Sequence, residues 1–300
     1  MPASEAVTVP EAPPTTPAAT APVRSSGGTA AWLRFLRSEL RLILSRRRNQ
    51  AGLGVLAALP VVMAIAVKIA APDSQGGGED FLASIVGNGF FVALAALSVE
   101  IGLFLPLAMA MLAGDAIAGE AQIGTLRGLL VVPVGRTRLL ATKYAGLVIG
   151  GLIGVLVVIL AGLAAGGALF GLHGVVTLSG TTLPLAEGLG RLALAGLYVG
   201  AFLAALAAIG LFISTLTEQP LGATVALALT STTMWILDAI PQLDWLHPWL
   251  LVHRQLAFTD LLRDPVYWPQ MRDGLLVDLA YVVVFGLAAW ARFADKDVSG

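Results

Sequence analysis

The sequence predicts an all-α, polytopic membrane protein with six membrane-spanning helices. Three observations carry that. Hydrophobic residues make up 57% of the 300 residues, only 12% are charged, and the mean hydropathy is +0.85, which is too apolar for a domain wrapped in a polar shell. Apolar runs of about 18 residues or more, the length a helix needs to cross roughly 30 Å of hydrocarbon, recur along the chain. Within hydrocarbon the backbone must satisfy its own hydrogen bonds, which favours helices in those runs. The chain has no cysteine, so disulfides, thiolate metal sites and thiol nucleophiles are excluded.

Residues 1–30 are rich in Pro, Ala, Thr and Ser and read as a disordered cytoplasmic tail. They lack the basic start and apolar core of a secretory signal peptide, so the tail is expected to be retained. Residues 31–48 read as an amphipathic interfacial helix. Trp32, Leu36, Leu40, Ile43 and Leu44 recur on one side, while Arg34, Arg37, Ser38, Arg41, Ser45 and Arg48 fill the other, the pattern of a helix lying in a membrane surface.

A six-span domain then fills residues 49–294, with apolar spans at about 50–71, 89–114, 144–170, 189–213, 221–240 and 274–293. Pro106 is expected to kink the second. Residues 295–300 form a short C-terminal tail. Thirteen of the eighteen Lys and Arg residues fall before the first span, between the second and third, or after the sixth. By the excess of basic residues on the cytoplasmic side, both termini and the loop after the second span are expected in the cytoplasm, the protein in the plasma membrane. The long connection 241–273, with Trp245, Trp249, Tyr267 and Trp268, reads as short helices at the outer headgroup layer.

Glycines at four-residue spacing, Gly146, Gly150, Gly154, then Gly162 and Gly166, and Gly196 with Gly200, point to close helix packing, more within the chain than between copies. Glu100 stands in the outer half of the second span, where a charge costs roughly 2.5–3.5 kcal/mol, so it should face the protein interior or a wet cavity. Three readings stay open for it: an ion pair with Lys68 or Arg191, a substrate or proton site, or exposure to outer water. Asp238 is expected at the interface. His173, His247 and His253 show no metal-ligand spacing in the sequence, so no metal is expected.

The segment from Asp115 to Lys143 is a polar island between two apolar spans, with Asp115, Glu120, Arg127, Arg136, Arg138 and Lys143. Ile123, Leu126 and Leu130 share one helical face, Pro133 and Gly135 interrupt the helix, and Thr137 is a reasonable N-cap for the next. It reads either as an ordinary amphipathic loop or as a docking element. This island resembles the signature region of type-2 ABC exporter permeases, in which a Glu ends the second span and Gly-Thr-Leu, a Pro, an Arg and a Lys follow: here Glu120, Gly124, Thr125, Leu126, Pro133, Arg136 and Lys143. The basic surface helix, the six spans, the polar turn at 214–219 and the outer helices before the last span match the same plan, over roughly 31–294.

The resemblance implies a membrane-spanning permease subunit coupled to a separate cytoplasmic ATPase and paired with a second permease copy, with no nucleic-acid partner. In it Ile123, Leu126 and Leu130 would make apolar contacts, Glu120 and Arg127 would make polar contacts to the ATPase or to the surface helix, and Lys143 would anchor the third span at the interface. These 300 residues contain no Gly-x-x-x-x-Gly-Lys-Ser/Thr loop, so no cofactor is expected on the chain itself and ATP would be bound and hydrolysed by the partner. The rival reading is an ion- or proton-coupled secondary transporter built on Glu100, although one intramembrane ionisable group is few for that class. A membrane-embedded enzyme would need clustered His, Asp, Glu or Ser at the membrane edge, which the sequence does not display.

Overall fold

Eight helices build the described part of this computed structural model, which covers residues 28–70, 88–122 and 136–294, with side chains described from 33 onward and not for Arg136. They are α1 (Gly28–Ser45), α2 (Arg47–Ala70), α3 (Gly89–Glu100), α4 (Phe104–Gly114), α5 (Arg136–Phe170), α6 (Leu185–Leu216), α7 (Pro220–Asp238) and α8 (Pro269–Ala294). A π-helical turn, Asp115–Gly119, and a last α-turn, Glu120–Gln122, continue α4. Six helices are long and apolar enough to cross a membrane: α2, α4 with its continuation, α5, α6, α7 and α8. The chain is thus an all-α, multi-pass membrane protein, its only described strands being the two-residue pair Val175–Val176 and Thr182–Leu183.

The second span departs from the single helix 89–114 read from the sequence. It breaks at Ile101–Leu103, where Leu103 takes φ −142° and ψ −55°. Pro106 is the reason: a proline lacks the N–H that would bond the carbonyl four residues back, and its ring crowds that carbonyl, at Gly102. The interruption therefore falls upstream of Pro106, which sits in the first turn of α4. Beyond Gly114 the helix runs on to Gln122, eight residues past the expected end. α5 likewise starts at Arg136, so Thr137 lies inside the helix rather than at its N-cap, and its Oγ1 accepts a hydrogen bond from Trp290 Nε1 at 3.0 Å.

Contacts between helix ends fix the up-and-down order. At one end α1 lies against the start of α5, Ser214 of α6 meets the π-turn, the start of α7 meets Gly114, and the end of α8 reaches Thr137. At the opposite end Asn88 caps α3, its Oδ1 accepting from Phe90 N at 3.0 Å while its Nδ2 donates to Gly174 O at 3.0 Å. There the connection 241–262 forms three 3₁₀ turns, Pro241–Leu243, His247–Trp249 and Ala257–Leu262. Arg191 holds this cap through the carbonyls of Leu261 (2.9 Å) and Arg263 (2.8 Å). Trp245, Trp249, Tyr267 and Trp268 are exposed around it, as suits a headgroup layer.

The glycine spacing is used within the chain. A Cβ on Gly162 would come within 2.5 Å of Ala93 Cα, one on Gly166 within 2.4 Å of Gly89 O, and one on Gly200 within 2.4 Å of Leu152 Cδ2. Small residues let backbones approach to such distances, and the gain is dispersion contact that lipid cannot supply. α6 is the enclosed centre, with 72% of its apolar window buried against 17% for α2, α7 and α8. Those three carry the broad apolar faces left to lipid or to another subunit.

Candidate coupling site

Two ionic clusters tie α1 and the helix ends around it into one platform. Lys143, on the second turn of α5, is only 5% exposed; its Nζ donates to Glu39 Oε1 of α1 at 2.8 Å and to Glu120 Oε1 at the end of the second span. Gly146, one turn on, brings α1 in close: a Cβ there would lie 3.1 Å from Glu39 Cγ and 3.5 Å from Ile43 Cδ1. An ammonium taken out of water is costly unless paired, and two carboxylates answer it here. The second cluster joins Asp115 to Arg46 Nη1 at 2.6 Å and to Arg48 Nη2 at the α1–α2 junction. Between the clusters opens a cleft of about 410 Å³ lined by Glu39, Arg46, Asp115, Glu120 and Lys143.

The π-turn explains how the second span presents these acids. Widening from four-residue to five-residue spacing leaves backbone N–H groups without their usual carbonyls. Two of these, Ile117 N and Ala118 N, donate to Ser214 Oγ at 3.2 and 3.0 Å, and Ser214 is wholly buried. α6 thereby fixes the rotation of the turn that carries Asp115 and leads to Glu120. Next to the polar cleft, Leu44, Asn49, Leu53, Leu105, Met109 and Gly151 are among the residues lining an apolar groove of about 560 Å³ between α1, α2, α4 and α5.

Of the residues singled out from the sequence, the structure brings together Glu120 and Lys143. Arg34, Arg37 and Arg41 are exposed on α1. Ile123, Gly124, Thr125, Leu126, Arg127, Leu130 and Pro133 lie outside the described residues, as do the side chains of Trp32 and Arg136. Glu39, Arg46, Asp115 and Ser214 were not singled out for this role. Glu39 is a lone acid on a basic helix in a chain with few charges, and that is the signal that could have found it.

Glu100 corrects an expectation. It is fully buried at the end of α3, and neither carboxylate oxygen has a hydrogen-bond partner among the described residues. The ion pair with Lys68 or Arg191 is not formed: Lys68 Nζ stands 5.7 Å from the centre of the Phe170 ring, and Arg191 pairs with Glu187 at 2.7 Å. Arg191 is drawn instead to the carbonyls of the cap, which offer several acceptors in one fork. Asp278 of α8 is a second buried carboxylate within a span, so the spans hold more than the one ionisable group expected from the sequence. Near the cap, Asp238, His247 and His253 converge although their spacing along the chain gave no hint of it.

Six apolar crossings with α1 clamped to their ends by largely buried charge define an integral membrane protein. A family model described as ABC-2 family transporter protein matches residues 45–233. The chain belongs to this family, which makes it an ABC-type permease. No curated protein matches it.

Proposed function

We propose that the chain is the membrane-spanning permease subunit of an ATP-driven exporter, working beside a second permease copy, identical or homologous, and driven by a separate cytoplasmic ATPase. The observation that carries this reading is the platform. Lys143, Glu39, Glu120, Asp115, Arg46 and Arg48 join α1, α2, the second span and α5 at the one end where the island 123–135 connects the second and third spans. A push on α1 or the island would thus reach three spans at once. In this reading Ile123, Gly124, Thr125, Leu126, Arg127, Leu130, Pro133 and Arg136 meet the ATPase with exposed Arg34, Arg37 and Arg41, whereas Glu120 and Lys143 act behind them as structural links. The platform face is cytoplasmic and the cap face external, the side that the basic residues favour.

Purification in mild detergent, followed by reconstitution into vesicles, tests the proposal. An ATPase subunit should accompany the chain, and cargo movement should require ATP and that subunit. Transport by the chain alone, driven by an ion gradient, would overturn it.

A second reading has its own support. Glu100, buried with no hydrogen-bond partner among the described residues and beside the break in the second span, is the kind of group an ion- or proton-coupled transporter uses. Under that reading the vesicle experiment gives gradient-driven transport that Glu100→Gln abolishes.

A further inference from the structure

We infer that Asp238, His247 and His253 form a binding site for a divalent transition-metal ion of the zinc type at the cap face. One donor atom from each of the three lies within 4.8 Å of the others. The donors arrive from three places: the last residue of α7, the 3₁₀ turn His247–Trp249 and the turn before Ala257–Leu262. Metal–ligand bonds of 2.0–2.2 Å place tetrahedral donors roughly 3.4 Å apart. The cluster needs only a modest contraction, and the side chains of Asp238 and His253 are partly exposed and free to make it.

Hydrogen bonds around the rings hold them in place for coordination. His247 Nε2 lies 3.1 Å from Ile240 O, and a carbonyl can only accept, so Nε2 donates and Nδ1 is the ring nitrogen left for an ion. Fixing one ring nitrogen on a backbone carbonyl is how ligating histidines are oriented. Asp244 offers a further carboxylate oxygen 3.6 Å from that Nδ1. His253 Nδ1 and Asp238 Oδ1 already lie 2.7 Å apart, and the proton held between them leaves when both atoms turn to the ion. The two imidazoles stand with centroids 5.6 Å apart and planes inclined by 31°.

The frame beneath is rigid. Leu250, Leu251 and Val252, between the two histidines, are buried. Arg254, the next residue after His253, donates from Nη1 to Pro248 O at 3.2 Å and accepts at its own carbonyl from Tyr198 Oη at 2.7 Å. Two imidazoles with carboxylate oxygen suit zinc, copper or nickel rather than calcium or magnesium, which prefer all-oxygen sites. The bound ion fastens the end of the fifth long span, α7, to the cap, and three protein donors leave a fourth position for water or Asp244.

Zinc titration tests this directly on the purified full-length chain, carrying no polyhistidine tag and stripped with chelator. Competition with a chromophoric chelator should give one Zn²⁺ per chain with a dissociation constant of about 10 μM or tighter. His247→Ala and His253→Gln should each weaken binding at least tenfold. His253→Gln keeps a donor for Asp238 and so preserves the cap. His173→Ala, which alters the one histidine outside the cluster, should bind as the parent does. Zinc should also raise the thermal midpoint of the parent but not of His253→Gln, and calcium should not replace it. Absence of stoichiometric binding to the parent protein would overturn the inference, and so would binding that survives in both single variants.

Discussion

Lys143 is the residue on which the platform turns, because it is a buried cation held by carboxylates from two other elements. Replacing it with Met would remove the cation that Glu39 and Glu120 share. Breaking a buried pair in this way costs roughly 3–5 kcal/mol. Thermal unfolding in detergent should therefore show a marked fall in the midpoint for Lys143→Met. Adding Glu39→Gln and Glu120→Gln should restore most of it, since the repulsion then disappears; a triple variant no more stable than the single one would refute the electrostatic account. Ser214→Ala makes a separate case. It strips the acceptor from Ile117 N and Ala118 N in a buried place, a loss of about 1–3 kcal/mol. Hydrogen exchange should become faster at those two amides before it does in α6.

At the scale of elements, glycine positions divide into those that set a helix contact and those that do not. A Cβ on Gly166 would collide with the Gly89 backbone, whereas Gly52 and Gly54 of α2 have nothing within 4 Å of where a Cβ would stand. Gly166→Val should force α3 away from α5 and lower stability by several kcal/mol, as overpacking of a close contact does. Gly52→Ala should be neutral or stabilising, by up to about 1 kcal/mol, from helix propensity alone. Comparing the two melting curves checks both, and equal effects would show that the close approach of α3 to α5 is not required. The sequence could announce that Gly162 and Gly166 pack, because small residues at four-residue spacing on a span have few other uses. It could not say that Gly166 meets Gly89, since that pairing depends on how the second span is aimed after its break. Pro106 was legible as a disturbance, but the break lies at the carbonyl it displaces, four residues upstream, and the π-turn that aims Asp115 had no residue signature at all. The cluster of Asp238, His247 and His253 was hidden for a related reason: turns of the cap, not helical periodicity, bring its members together.

For the whole molecule the question is whether α1 moves with the spans or against them. Two ionic clusters on either side of one cleft, and a glycine contact beneath, argue that α1, α2, the end of the second span and the start of α5 move as one body. Glu39 Cγ lies 3.1 Å from where a Cβ on Gly146 would stand, so the pair Glu39→Cys and Gly146→Cys places a sulfur within bonding reach of its partner's side chain. The native chain has no cysteine to interfere. Under the proposed ATP-driven export, oxidising this pair should leave transport in vesicles close to that of the reduced protein, because the bond would only reinforce a contact kept throughout. If oxidation stops transport and reduction restores it, α1 slides over α5 during the cycle and the platform is a clutch rather than a lever. Glu100 separates the two transport readings on the same vesicles. A buried carboxylate with no hydrogen-bond partner among the described residues destabilises a span, so Glu100→Met should raise the thermal midpoint, a gain in stability on the order of 1–3 kcal/mol, while the transport proposed above persists. Loss of transport in both Glu100→Met and Glu100→Gln, at unchanged insertion, would mean that the carboxylate is kept at a cost to stability because the translocation step uses it.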